Sequence, residues 1–349
     1  MVNKEVSTAE PVSGRAATRA DVARLAGVSV AVVSYVVNNG PRPVARKTRQ
    51  RVLDAIDQLN YRPNPSARAL KRGTTHMFGL MVTDVTNPFY AEYIDALDEA
   101  STAIDRFLVL SVTRDVPEHE AQAVASLVDQ GVDGLIFLCH VEDQRLYAAG
   151  GARMARVMLD RNTPMDGYNS VGADSEEGAA LGTRHLIDHG HRNIGLITGA
   201  LQRRNDDLRA VGWAREIARA GLPLTEPVVT TWSREGGYEG AQRLLGRDDP
   251  PTAILAGSDL IAIGVLQAAH EAGLDIPRDL AVVSFDGTSE SAFSWPPLTT
   301  VRQPFEQMAQ AAVQVLLSRP AMPRHQSFPM ELIVRESCGC APGTRSREN

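Results

Sequence analysis

Hydrophobic and polar positions follow two different rhythms along this chain. Between Thr18 and about residue 60, apolar residues recur every three or four positions: Val22, Ala23 and Ala26, then Val30 to Val37, then Val52, Ala55, Ile56 and Leu59. That is the period of short helices with one buried face. From Met77 onward, apolar runs of four to six residues alternate with helical patterns such as Tyr90 to Ala103 and Glu118 to Gln130. The runs are Phe78 to Val82, Phe107 to Leu110, Gly134 to Leu138, Arg156 to Leu159, Ile194 to Ile197, Ala253 to Leu255 and Leu280 to Phe285. Strands that are apolar throughout are buried on both faces, which predicts parallel sheets covered by helices. Seven or more strands are many for one open sheet, so two doubly wound halves are expected.

Composition and charge sharpen this division. Hydrophobic residues make up 43% and charged residues 22%, enough for a large core. No stretch approaches the roughly 20 apolar residues of a membrane span, and the first residues have no apolar signal core. Three cysteines give no disulfide framework, which suits a reducing cytoplasm. The net charge of −6 hides a split: residues 15 to 72 hold 12 Lys+Arg against Asp21, Asp54 and Asp57, leaving −15 on the remainder. A basic head on an acidic body points to a polyanion met by the head alone.

Within the head, Thr18 and Asp21 form a capping-box-like start. Gly27 is suited to the left-handed turn that ends a helix, and Ser29 is a good cap for a second helix, Val30 to Val37. Ala23 is small where two helices must cross. This Ala-x3-Gly-x5-Val-x2-Val spacing is that of a helix-turn-helix, whose second helix enters the major groove of DNA. Its outward positions are Val30, Ala31, Ser34 and Tyr35. Val30 and Ala31 are able to touch only apolar base edges; Ser29, Ser34, Asn38, Thr48 and the arginines suit phosphates.

Thr18-Arg-Ala-Asp-Val-Ala-Arg-Leu-Ala-Gly-Val-Ser29, Val33-Ser34, Val36-Val-Asn38, Thr48-Arg49, Leu59-Asn-Tyr61-Arg-Pro63-Asn64 and Ala67-Arg68-Ala-Leu70 resemble the lactose-repressor/galactose-repressor (LacI/GalR) family of bacterial transcription factors. The likeness continues to about residue 339. It implies a small all-α helix-turn-helix DNA-binding domain, including Thr18, joined to an α/β periplasmic-binding-protein-like effector domain of two doubly wound parallel-sheet subdomains. The expected division is a disordered tail over 1–16, the helix-turn-helix over 17–62, a hinge over 63–75, an effector-binding and dimerisation domain over 76–339, and a flexible tail over 340–349. Within the effector domain, one subdomain takes about 76–173 and 302–329, the other about 174–301 and 330–339. The resemblance further implies that residues 66–71 form a hinge helix, capped by Asn64, which folds beside its dimer partner in the minor groove. Leu70 would wedge between base steps, with Ala67, Arg68 and Lys71 beside it.

In doubly wound sheets ligands bind beyond the carboxyl ends of strands. The residues there are Thr83 to Tyr90, Asp160, Arg203 to Arg209, Gly257 to Asp259 and Asp286, a set that suits a polar small molecule. Carried over by resemblance, Arg209 and Asp286 hydrogen-bond the ligand, Trp232 stacks on it, and Phe89, Tyr90, Asp160, Arg203 and Ser258 line the remainder. Plainer roles stand beside these: Asp286 as a cap, Arg209 paired with Asp206, Trp232 as core.

His185, His189 and His191 have metal-compatible spacing but read as helix-end residues. Cys338-Gly-Cys340 is tight for a structural zinc pair and lacks a second pair, so neither metal nor cofactor is expected. No phosphate loop or nucleophile motif supports an enzyme. Several positions depart from the family. Val30 and Val32 stand where a hydroxyl residue is frequent, and Ser258 where sugar-responsive members often carry Asn. No leucine heptads follow Arg335. The expectation is a cytoplasmic, nucleoid-associated, dimeric repressor of a pseudo-palindromic operator on double-stranded DNA. A small effector controls it, a sugar being favoured and a purine or nucleoside the alternative; a solute-binding protein and a sugar-processing enzyme are more remote.

Overall fold

The computed structural model describes residues 17–38, 40, 42–62, 73–139, 144–151, 154–200, 207–320 and 322–340. The chain falls into two compact units, Met1–Thr75 and His76–Asn349.

The first unit contains three helices among its described residues: α1 (Arg19–Ala26), α2 (Val30–Val37) and α3 (Arg46–Gln58). Thr18 Oγ1 accepts from the Asp21 amide at 3.4 Å, while the Asp21 carboxylate accepts from the Thr18 amide at 2.9 Å. This closes the capping box. Gly27, at φ 63°, ends α1 in the left-handed region where a side chain would be strained. The chain turns by 105° into α2, which Ser29 caps by accepting from the Val32 amide. The core is Val22, Ala23, Ala26, Val33, Val36, Val52, Ala55 and Tyr61. With so few and mostly small side chains buried, caps worth about 1 kcal/mol each carry a large share of this unit's stability.

Among its described residues, the second unit is built on two six-stranded sheets. The strands are β1 (Met77–Val82), β2 (Phe107–Val112), β3 (Gly134–Leu138), β4 (Ala155–Leu159), β5 (Ser170–Ala173), β6 (Ile194–Gly199), β7 (Val228–Thr230), β8 (Ala253–Ala256), β9 (Ala281–Asp286), β10 (Thr299–Arg302), β11 (His325–Phe328) and β12 (Glu331–Ile333). One sheet has the order β11-β5-β4-β3-β1-β2 and is parallel throughout. The other has the order β12-β10-β9-β8-β6-β7 and is parallel except for β12. Helices cover both faces, as buried strands require: α4 (Pro88–Thr102), α5 (Pro117–Asp129), α6 (Ser175–Asp188), α7 (Leu208–Arg219), α8 (Arg234–Leu245), α9 (Asp259–Glu271), the short α10 (Glu290–Phe293) and α11 (Phe305–Ser318).

Side chains alternate across the first sheet. Phe78, Leu80 and Val82 join α4 and α11 on one side, and Met81 joins α5 on the other. In the second sheet α6 and α7 cover one face, α8 and α9 the opposite one. The chain passes between sheets three times: from β5 into α6, from β10 into α11, and from β11 into β12. The passages lie side by side, because Phe328 pairs with Ala173 and Arg302 with Glu331.

Candidate DNA interface and effector cleft

In the first unit, the start of α2 carries Val30, 46% exposed, and the exposed Ala31. Ser34 and Tyr35 are half-buried on the next turn. Asn38 is the C-cap of α2, its side-chain amide donating to Ser34 O at 3.0 Å and Ser34 Oγ at 3.1 Å, so these two candidate phosphate contacts hold each other. Thr48 is half-buried in the first turn of α3, beside Arg46, Lys47 and Arg49. A helix N-terminus flanked by cations presents donors and positive charge together, which suits a phosphate backbone. Asn64, Ala67, Arg68, Leu70 and Lys71 lie outside the described residues.

In the second unit, the carboxyl ends of the strands bring a buried cation, Arg209, together with several carboxylates. Arg209, in the first turn of α7, lies with its guanidinium carbon 4.8 Å from the Trp232 ring centroid and 4.6 Å from that of Phe285. It pairs with Asp207, Nη1 to Oδ1 at 3.5 Å, and Asp206, the partner considered from sequence, lies outside the described residues. Asp207 is itself committed: it caps α7 through the Arg209 amide at 3.1 Å and accepts from Thr198. Arg209 Nε is buried without a hydrogen-bond partner among the described residues. Such a donor costs on the order of 1–3 kcal/mol while unpaired.

Asp286 ends β9 at φ 95° and Asp160 follows β4 at φ 57°. Non-glycine residues seldom adopt these values, and they concentrate at functional sites. Asp286 does not cap the next segment; its carboxylate accepts from Gln303 Nε2 at 3.0 Å, and the Tyr93 hydroxyl donates to Gln303 Oε1 at 3.2 Å. Burial pushes the Asp286 carboxyl up to about 7, against the pull of Arg209 and with the help of Asp259 and Asp160. Burial likewise raises Asp160, opposed by Arg209 and Arg161. Desolvation works against the Arg209 charge, but Asp207, Asp286 and Asp160 outweigh it and hold the guanidinium above its usual range. Asp259 acts from behind. Its buried carboxylate accepts from Ser284 Oγ at 2.6 Å, the Thr288 amide at 2.7 Å, Thr288 Oγ1 at 2.8 Å and Thr300 Oγ1 at 3.1 Å, fixing the backbone around Asp286.

The other sequence candidates sit as follows. Trp232 is half-buried against the core of the second sheet, so near Gly199 that a Cβ there would lie 2.2 Å from the indole. Phe89 is buried edge-on against Tyr90 at 5.1 Å, Tyr93 at 5.1 Å and Phe305 at 6.0 Å. Burial lifts the Tyr90 hydroxyl well above the usual tyrosine range. The Ser258 hydroxyl is engaged as the cap of α9, accepting from the Ile261 amide at 3.2 Å. Arg203 lies outside the described residues. Sequence reasoning did not reach Tyr93 or Gln303. Tyr93 reads as an ordinary apolar position of an amphipathic helix, and Gln303 follows β10, whose Thr-Thr-Val-Arg carries no apolar run.

Comparison with known proteins bears on both units. The family description "Bacterial regulatory proteins, lacI family" matches residues 18–64, and "Periplasmic binding protein-like domain" matches residues 183–338. The HTH-type transcriptional repressor PurR of Glaesserella parasuis serovar 5 is 35% identical over 335 residues, covering 92% of this chain and 98% of that protein. The ribose operon repressor of Escherichia coli K12 is 36% identical over 321 residues, covering 90% and 97%. Among solved structures, the Lac repressor dimer bound to operator and the anti-inducer ONPF matches with a TM-score of 0.83 at 31% identity, over 93% of this chain and 99% of that one. The transcriptional regulator CelR–cellobiose complex matches at 0.69 and 27%, over 92% and 99%. With relatives above 30% identity matched over nearly their whole length, the chain belongs to the lacI family of bacterial regulatory proteins and is a helix-turn-helix transcriptional repressor with an effector-binding unit, not an enzyme.

Proposed function

We propose that this repressor binds a pseudo-palindromic operator as a homodimer in the cytoplasm, and that a small carbohydrate in the cleft between the two sheets controls its grip. The observation that carries the effector reading is the convergence of Asp160, Arg209 and Asp286 at the strand ends, with both aspartates at positive φ. Carboxylates accept from sugar hydroxyls and a guanidinium donates to their oxygens, so this set matches a neutral polyol. Relatives named for ribose and cellobiose support a sugar, and one named PurR supports the purine alternative.

Two exposed apolar patches favour a dimer. The edge strand β2 shows Phe107 at 66% exposure, and Phe293 and Trp295 are each 89% exposed beside Ile263 and Leu266. A lone monomer rarely leaves such surface open. In this reading Phe89, Tyr90, Arg203 and Ser258 line the cleft, Trp232 stacks on the sugar, and the residues named on α2 and α3 meet DNA. Effector binding changes the separation of the hinges, and Leu70 wedges into the minor groove only when they are correctly spaced.

The test is a thermal-shift screen of the purified protein against pentoses, hexoses, disaccharides and purines, repeated on Arg209→Met. A sugar that raises the wild-type Tm and leaves the variant unmoved is the expected result. A purine alone doing so would replace the sugar reading. For the hinge, Leu70→Gly should abolish operator binding while effector binding survives; an unchanged gel-shift affinity would refute it.

A further inference from the structure

Away from the cleft, the fold gathers two histidines and two cysteines that lie some 150 positions apart in sequence. His185 and His189 are one turn apart at the end of α6, their rings 4.6 Å between centroids. Cys338 and Cys340 follow β12. Cys340 Sγ is 3.2 Å from His189 Nε2 and 3.8 Å from His185 Nε2. One ligand atom from each of the four residues lies within 4.8 Å of every other. A tetrahedral zinc ion, with Zn–S near 2.3 Å and Zn–N near 2.0–2.1 Å, holds its S and N ligands about 3.6 Å apart. The two measured S···N distances bracket that value, and the widest pair needs to close by about 1 Å. We propose that His185, His189, Cys338 and Cys340 form a tetrahedral zinc site that pins the C-terminal segment to the end of α6.

Three features show a site prepared in advance. Cys338 is buried, and the Thr299 hydroxyl donates to its sulfur at 3.0 Å, an outer-shell contact that supports a thiolate ligand. Next to it, Ser337 is fixed on both sides: its hydroxyl donates to Val282 O at 2.6 Å and accepts from the Thr299 amide at 2.8 Å. Gly339 takes φ 94°, a left-handed turn that lets both thiols of Cys-Gly-Cys approach the same helix end. Two imidazoles and two thiolates in a tetrahedron select zinc over the oxygen-seeking magnesium and calcium. His191, the third histidine of the sequence pattern, is not a member, since its Nδ1 meets Thr252 Oγ1 at 3.0 Å. The sequence kept histidines with histidines and cysteines with cysteines; the site needs one pair of each.

The experiment uses the full-length, untagged, reduced protein, stripped with a chelator and re-exposed to zinc or cobalt. Mass spectrometry of the gel-filtered protein should find one zinc per chain. Cobalt should give visible d–d bands of tetrahedral intensity with a thiolate charge-transfer band in the near ultraviolet. Cys340→Ser and His189→Ala, both at solvent-accessible positions, should each weaken zinc binding by at least about 100-fold, beyond what loss of an outer-shell partner costs. His191→Ala should leave it unchanged. Zinc at about 100 times its Kd should raise the wild-type Tm by about 5 °C, and that rise should vanish in Cys340→Ser. Sub-stoichiometric zinc, a cobalt spectrum without thiolate charge transfer, equal binding by Cys340→Ser, or a Cys338–Cys340 disulfide whose reduction restores no metal binding would each overturn the proposal.

Discussion

The two units of this repressor place their polar groups by opposite means. In the helix-turn-helix unit, each group that fixes the geometry reaches only a few residues along the chain: Thr18 to Asp21, Ser29 to Val32, Asn38 to Ser34. In the effector unit, the cleft draws on Tyr93, Asp160, Arg209, Trp232, Asp286 and Gln303, and the pairs that touch come from different strands, helices and passages. The first arrangement forms wherever its own short segment is helical. The second exists only once both sheets have closed. A damaged cap should therefore loosen one helix, whereas a damaged cleft residue should unbalance charges gathered from across the unit.

That contrast is open to direct tests. The three tryptophans, Trp213, Trp232 and Trp295, all lie in the effector unit, so their fluorescence follows that unit alone. The largest effect is expected for Arg209→Met, which leaves Asp286 and Asp160 without their shared cation. Effector affinity should fall by about 2–5 kcal/mol by calorimetry, while binding to DNA persists. Next comes Gly27→Val. A β-branched residue at φ 63° costs about 1–3 kcal/mol. Hydrogen exchange should show α1 and α2 losing protection, with tryptophan-detected melting unmoved; a lower melting temperature there would break the separation of the two units.

The third test uses pH. The Asp286 carboxyl, near 7 when folded, lies above its unfolded value, so its contribution to stability is complete at low pH and is lost as pH rises through 7. Wild-type protein should lose up to about 1.4 kcal/mol per pH unit relative to Asp286→Asn as pH rises from about 4 to 7, and the two curves should run parallel above about 8. Curves parallel over the whole range would show that Asp286 is not held protonated. The smallest effect is that of Thr18→Ala. Loss of the cap, worth about 1 kcal/mol, should speed exchange of the α1 amides about 5-fold and leave every effector-unit observable in place.

The same contrast explains what could be read from the chain itself. The helix-turn-helix follows from Thr18, Ala23, Gly27, Ser29, Val33 and Val36 because each acts on near neighbours. Among the strands, β1, β2, β3, β4, β6, β8 and β9 announce themselves as apolar runs. In contrast, β5, β7, β10, β11 and β12 span only three or four residues and carry serines, threonines, histidine or glutamate, with too few apolar positions to form a period. Their pairing partners, not their composition, make them strands. Polar residues at strand ends were visible as candidates, but the Tyr93–Gln303–Asp286 chain and the histidine–cysteine cluster join segments that only the completed sheets bring together.

The three neighbouring passages between the sheets have a mechanical consequence. A body on one tether swivels and slides freely, whereas a body on three adjacent tethers keeps mainly the freedom to swing about the line they define. Whatever small molecule enters the gap meets a door on a fixed hinge rather than a loose flap. Its binding energy then feeds a single angular coordinate between the two sheets.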